Sequence, residues 1–219
     1  MFEIMSEVNI LENRPNQPVG RIRQKNQLRI IAAAEEEFVT FGFKGASMKR
    51  IAERAELPRA NIHYYFKNKV DLYAAVLGDI VEVWNSTVAD INPEDDPKET
   101  LTAYIRAKVL SAKDNPNASR IFASEIIHGA PHIGQYLKQD YRVAILNITS
   151  GFQSWIDQGK MDAIDPMHLL FMIWGSTQHY ADFGVQVRAA MDKDELDDDD
   201  FERIIASITH IILKGVGLN

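Results

Sequence analysis

The sequence contains no cysteine. Disulfides, thiolate zinc sites and cysteine nucleophiles are therefore excluded together. No run approaches the roughly 18 uninterrupted apolar residues of a membrane helix. The opening stretch MFEIMSEVNILENRPNQPVG also lacks the basic-then-apolar order of an export signal. A cytoplasmic location with no membrane partner is the expectation. Strand signals are nearly absent, since no pair of alternating apolar runs is joined by Asn-Gly or Asp-Gly. Gly-x-Ser-x-Gly, His-Glu-x-x-His and phosphate-cradling glycine loops are missing too. A hydrolase built on His128, His168 or His179 thus lacks any accompanying motif, and neither enzymatic activity nor a cofactor is expected.

What is present is an all-α pattern in 219 residues, of which 46% are hydrophobic and 25% charged. That balance belongs to a globular chain long enough for one or two domains. The net charge of -7 is unevenly spread. From Arg14 to Lys69 there are 12 Lys or Arg against 5 Asp or Glu, whereas from Asp71 onward there are 12 against 23. The basic part suits a polyanion and the acidic part would be repelled by one.

About nine helices are expected. Residues 1–20 read as a flexible arm, 21–67 as one domain and 68–219 as a second. The first helix begins near Arg21, carries Leu28, Ile31, Ala32, Phe38, Val39 and Phe41 along one face, and is stopped by Gly42 and Gly45. Ser47 is placed to cap a short second helix ending at about Ala55 or Glu56. Pro58 opens a short third helix that runs to about Phe66. Asn68 with Asp71 starts a long fourth. Beyond the loop DINPEDDPKE, helices are expected at Thr100–Asp114, Ala118–His128, Ile133–Gly159 with a bend, Pro166–Met191 and Phe201–Lys214. The acidic run DKDELDDDD before the last reads as a solvated loop.

Helices two and three, joined by a turn of about three residues, have the dimensions of a helix-turn-helix. Arg59, Asn61, His63 and Tyr64 take the exposed positions of helix three, and Ala60 is small enough for close approach to base edges. Lys44, Ser47, Met48, Lys49, Lys67 and Lys69 lie around them, the lysines and the serine suited to contact phosphates. Ile51, Ala52, Ala55, Leu57, Ile62 and Phe66 form the small core of the motif.

The stretch GASMKRIAERAELPRANIHYYFKNKVDLYAAV resembles the N-terminal domain of the TetR family of transcriptional regulators. It departs from the family pattern at Glu56, where glycine is usual, at Pro58 for serine, at Ala60 for glycine and at His63 for tyrosine. The resemblance implies an all-helical homodimer on a palindromic double-stranded operator. It also implies a larger domain that holds an inducer and closes a four-helix dimer bundle with its last two helices. The isoleucine stripe from Phe201 to Ile212 fits that bundle, and core packing within one chain is its alternative. Two further stretches, NPNASRIFASEIIHGAPHI and IDPMHLLFMIWGSTQHYADFGVQV, are similar almost residue by residue to a pyrimidine-responsive regulator of this family. This implies a repressor that uracil or thymine lifts from DNA; a ligand of another class is the alternative.

The residues themselves support a polar pocket. Trp174, Gln178 and Asp182 fall at i, i+4 and i+8 of one helix face. A flat pyrimidine needs stacking surface and paired donors and acceptors, which a tryptophan beside an amide supplies. Trp84 on helix four closes the pocket, and Glu125 adds a carboxylate. Ordinary core packing of both tryptophans, with Gln178 and Asp182 as structural hydrogen-bonders, is the competing interpretation. Glu125, His128 and His132 cluster in sequence, but the spacing places no third metal ligand, and no metal is expected.

Overall fold

The structure is a computed structural model that describes residues 18–87 and 91–218, with the side chains of residues 18, 19 and 83–87 outside that description. The chain divides into two compact units, the first ending at Leu72 and the second beginning at Tyr73. Among the described residues there are eleven helices and no strand.

In the first unit, α1 (Pro18–Gly45) buries Ile30, Ala33, Ala34 and Phe38 at helical spacing. It begins three residues before Arg21; most of the expected arm lies outside the described residues. Gly42 adopts φ 64, a left-handed value that glycine reaches without a Cβ penalty, and there the helix kinks. Ser47 then caps α2 (Met48–Arg54), its hydroxyl accepting from the Arg50 N–H at 3.2 Å.

The α2 end explains one departure from the family pattern. Glu56 sits at φ 51, with its N–H donating to Glu53 O and the Leu57 N–H to Ala52 O. This is the paired-bond closure that glycine normally completes after a helix. Glutamate bears the left-handed strain here, and its carboxylate accepts from Arg29 at 3.1 Å. Pro58 (φ -54) precedes α3 (Arg59–Tyr65), which is pinned by buried Ile62 and followed by buried Phe66. Asn68 Oδ1 accepts from the Asp71 N–H at 2.9 Å and opens α4 (Lys69–Thr87).

The second unit holds α5 (Pro97–Asp114), α6 (Pro116–Ile127), α7 (Gly134–Lys138), α8 (Asp140–Asp157), α9 (Pro166–Asp182), α10 (Gly184–Met191) and α11 (Asp198–Gly215). Asp96, Asp165 and Asp197 each accept from first-turn N–H groups of α5, α9 and α11. Prolines occupy the first turns of α5, α6 and α9, where their missing N–H has no helical partner to lose.

Two expected long helices are each broken once, which raises the count from about nine to eleven. Gln139 (φ -114, ψ -90) separates α7 from α8, and Phe183 (φ -111, ψ 27) separates α9 from α10. The first falls inside the stretch where a bend is expected; the second carries no proline, and periodicity alone runs straight across it.

The core of this unit joins Leu101, Tyr104 and Ile105 of α5 with Phe152 and Trp155 of α8, Leu169 and Ile173 of α9, and the α11 stripe. Ile204, Ile205, Ile208, Ile212 and Leu213 are all buried within the one chain. At roughly 1.5–3 kcal/mol for each fully buried aliphatic side chain, the stripe serves the chain's own core. Only Ile211, 62% exposed, is left pointing outward among its isoleucines. The acidic run before α11 is likewise more than a solvated loop. Asp197 and Asp200 form a reciprocal cap, and buried Asp200 accepts from Lys193 and Arg203. Those charge-assisted bonds, led by Lys193, hold the Asp200 carboxyl down to about 2.

Candidate DNA interface and effector site

Anchoring one face of α3 decides what the other can do. With Ile62 and Phe66 buried, Arg59, Ala60, Asn61, His63 and Tyr64 all face solvent on a helix of two turns. Tyr64 is 71% exposed and meets Tyr65 edge-on at 5.2 Å. His63 Nδ1 lies 3.4 Å from Lys67 O. Arginine, asparagine and histidine in this setting offer the donors and acceptors that base edges pair with.

The flanking residues divide. Lys44 and Lys67 are exposed, and Lys49 is exposed with Glu53 at 3.8 Å. Met48 is half-buried. Ser47 has its oxygen occupied by the α2 cap and its N–H donated to Glu37 at 3.0 Å. Lys69 is half-buried: its ammonium donates to Lys44 O at 3.2 Å and Ala46 O at 3.0 Å, and lies 4.8 Å from the Phe43 ring centroid. It ties the start of α4 to the end of α1, so it is first a structural clamp, with one of its three ammonium donors left over.

Glu37 and Arg50 form the part of this unit that sequence reading missed. Glu37 is fully buried and accepts from Arg50 Nε at 2.6 Å, while Arg50 also donates to Gly45 O at 2.6 Å and stacks over Phe41. Glu37 falls on the helical face of Ile30, Ala33, Ala34 and Phe38, but the sequence reading set that face on Leu28, Ile31 and Ala32, of which Leu28 and Ala32 are exposed.

In the second unit Trp174, Gln178 and Asp182 share a half-buried face of α9, as their spacing implies. Trp174 Nε1 donates to Tyr104 Oη at 2.6 Å, and its ring lies 6.0 Å from Tyr141. Asp182 accepts from Ser119 Oγ at 2.5 Å. Burial raises the Asp182 carboxyl, opposed by Ser119 and by the charge of Arg120. Burial likewise pushes the Tyr104 phenol up to about 12.

The residue that sequence reading overlooked is Lys108. Its ammonium lies 5.8 Å from the Trp174 ring centroid, and the side chain is buried. Burial brings it down to about 8, with Asp182 pulling the other way. In sequence it is one lysine among the charges of α5; only the helical register, which puts it one turn from Tyr104 and next to Val109, hints at burial.

Glu125 is buried but committed elsewhere: its carboxylate accepts from the His132 N–H at 2.6 Å and lies 3.1 Å from His132 Nδ1. Tyr73 also bonds to it, and the Tyr73 phenol is raised by burial and by that carboxylate. No hydrogen bond or ion pair joins Glu125 to Trp174, Gln178 or Asp182 among the described residues. His128 instead lies with Nδ1 2.7 Å from Ser124 O. Among the described residues no three His, Asp or Glu side chains are grouped to hold a metal ion. Trp84 belongs to α4, and its side chain lies outside the described residues.

The family model for bacterial regulatory proteins of the tetR family matches residues 30–76, and the model for the YcdC-like C-terminal region matches residues 77–219. The chain belongs to the TetR family. It is a DNA-binding transcriptional regulator of that family, similar to the HTH-type transcriptional regulator RutR of Escherichia coli, with 37% identity over 187 residues, 85% of this chain and 88% of RutR. Solved TetR-like structures share the fold. One is a putative fatty acid metabolism regulator of Clostridium perfringens, with TM-score 0.70 at 24% identity over 85% of this chain and 97% of that one. Another is AibR in complex with isovaleryl coenzyme A and operator DNA, with TM-score 0.68 at 17% identity over the same shares. No helix among the described residues of this TetR-family chain is long and apolar enough to cross a membrane.

Proposed function

We propose that this chain is a cytoplasmic repressor that binds a palindromic operator as a homodimer and is released by a small pyrimidine, uracil or thymine. The first unit is the DNA-binding domain. Arg59, Asn61, His63 and Tyr64 face the major groove, with Ala60 allowing close approach. Lys44, Lys49 and Lys67 approach phosphates beside Ser47 and Met48, joined by the third donor of Lys69.

The observation that carries the effector assignment is the placement of buried Lys108 beside Trp174, whose indole is oriented by Tyr104. A flat ring stacking in that setting would meet an ammonium for its carbonyl oxygen and the Gln178 amide for its N–H and C=O groups. Likeness to RutR supports the pyrimidine class. The outward side chains Phe171, Met172, Val185 and Ile211, each about half exposed or more, support a dimer through the outer faces of α9 to α11.

Effector binding would favour a conformation in which the two recognition helices no longer match their half-sites. Calorimetry with uracil and thymine tests the assignment: saturable heat at one site per chain is expected. Absence of heat with both, alongside intact operator binding, would remove the pyrimidine and leave the regulator.

A further inference from the structure

The first turns of α1 are unlike the rest of that helix. Arg21, Ile22, Arg23, Gln24 and Lys25 are all exposed, and among the described side chains the first buried one is Ile30. No acidic residue occurs from Pro18 to Ala34. Among the described residues no carboxylate pairs with Arg21, Arg23 or Lys25, whereas Arg29 is taken by Glu56. A helical end with three such cations and, among its described residues, no buried side chain is poorly explained by packing, because short helical stretches without a buried face are marginal in water.

One of these cations lies over an aromatic ring of α3. The Arg23 guanidinium lies 5.8 Å from the ring centroid of Tyr64, across 41 residues of sequence, on the most exposed aromatic of α3. Stacking engages the flat face of a guanidinium and leaves its in-plane N–H donors free. Those donors suit the paired oxygens of a phosphate, and a guanidinium already positioned loses less freedom on binding it.

We propose that Arg23 is a further DNA contact, stacked on Tyr64 and donating to a backbone phosphate at the edge of the segment met by α3, with Arg21 and Lys25 adding to the local positive field. This rests on the DNA-binding role of α3. It extends the interface from the helix-turn-helix onto α1 and gives Tyr64 a second duty, as the platform that aims Arg23.

The test uses the full chain and a 30-base-pair duplex selected from a random pool for binding to it. Affinity is measured from about 50 to 200 mM salt for the natural chain, Arg23→Met and Arg23→Lys, with melting curves as a folding control. Arg23→Met is expected to lose about tenfold in affinity and about one unit of salt slope, with unchanged melting. Arg23→Lys, which keeps the charge, is expected to retain the slope. Methylphosphonate at one flanking phosphate should weaken the natural chain and leave Arg23→Met indifferent. An unchanged slope and methylphosphonate profile in Arg23→Met would overturn the proposal while the DNA-binding role stood. A natural chain that selects no duplex would overturn both.

Discussion

Arg50 Nε meets the buried carboxylate of Glu37 at 2.6 Å, and the same Oε1 accepts the Ser47 N–H at 3.0 Å. One oxygen thus fixes both where α2 begins and where its first turn lies against α1. The second oxygen, Oε2, has no partner among the described residues.

Removing Arg50 would leave that carboxylate buried and short of a cation, whereas removing Glu37 removes the buried charge itself. Arg50→Met is therefore expected to cost about 2–4 kcal/mol, discounted because the arginine is partly exposed, and Glu37→Gln clearly less. Urea unfolding of both variants gives the order. Equal or reversed losses would show that the pair does not set the α1–α2 junction.

Glu56 offers a change in the opposite direction. A left-handed residue with a side chain is strained by roughly 1–2 kcal/mol, against at most about 1 kcal/mol for the exposed bond to Arg29. Glu56→Gly is expected to raise stability by about 0.5–1 kcal/mol, read from the denaturation midpoint. A lower midpoint would mean that the Arg29 pair outweighs the strain.

The two lysines at the end of the motif are expected to separate. Lys67→Met should leave melting unchanged and lower the salt slope of DNA binding by about one unit. Lys69→Met should also lower the melting temperature, since its ammonium holds one carbonyl of α1, that of Lys44, and that of Ala46 just after it, worth about 1–3 kcal/mol together. Identical melting of both variants would deny Lys69 its clamp.

These contrasts mark what was legible in the sequence. The short third helix and its buried side were, because Ile62 and Phe66 at one spacing and Arg59, Asn61 and His63 at another leave one arrangement on so short a helix. The shared face of Trp174, Gln178 and Asp182 followed equally from period 3.6. The fate of the Phe201–Ile212 stripe did not, since an apolar face reads the same whether its partner is the same chain or another. Lys108 was hidden because a buried lysine looks like a solvated one until Tyr104 and Trp174 are brought beside it. The positive φ of Glu56 was signalled only by the glycine that the family pattern has at that place.

The role proposed for Lys108 in effector binding carries a pH signature. Its folded pKa of about 8 lies below the unfolded value near 10.5, so the cost of burying its charge is present below about pH 8 and is relieved as pH rises to 10.5. Stability from this group should rise over that window. Effector affinity should instead fall as pH passes about 8, because the ammonium that meets the ligand carbonyl is lost. Calorimetry at pH 7 and pH 9 on the natural chain and Lys108→Met checks this; equal affinities at both values for the natural chain would exclude the ammonium from the site.

Release of bound DNA by the effector tests the regulator most directly. Fluorescence anisotropy of the selected duplex, saturated with the natural chain, is followed as uracil is added, beside Gln178→Ala. The expected result is binding that weakens steeply with salt, loss of anisotropy with uracil, and a Gln178→Ala chain that binds DNA equally well and ignores uracil. Uracil-insensitive binding by the natural chain would contradict the assigned effector, and binding indifferent to salt would contradict the DNA interface itself.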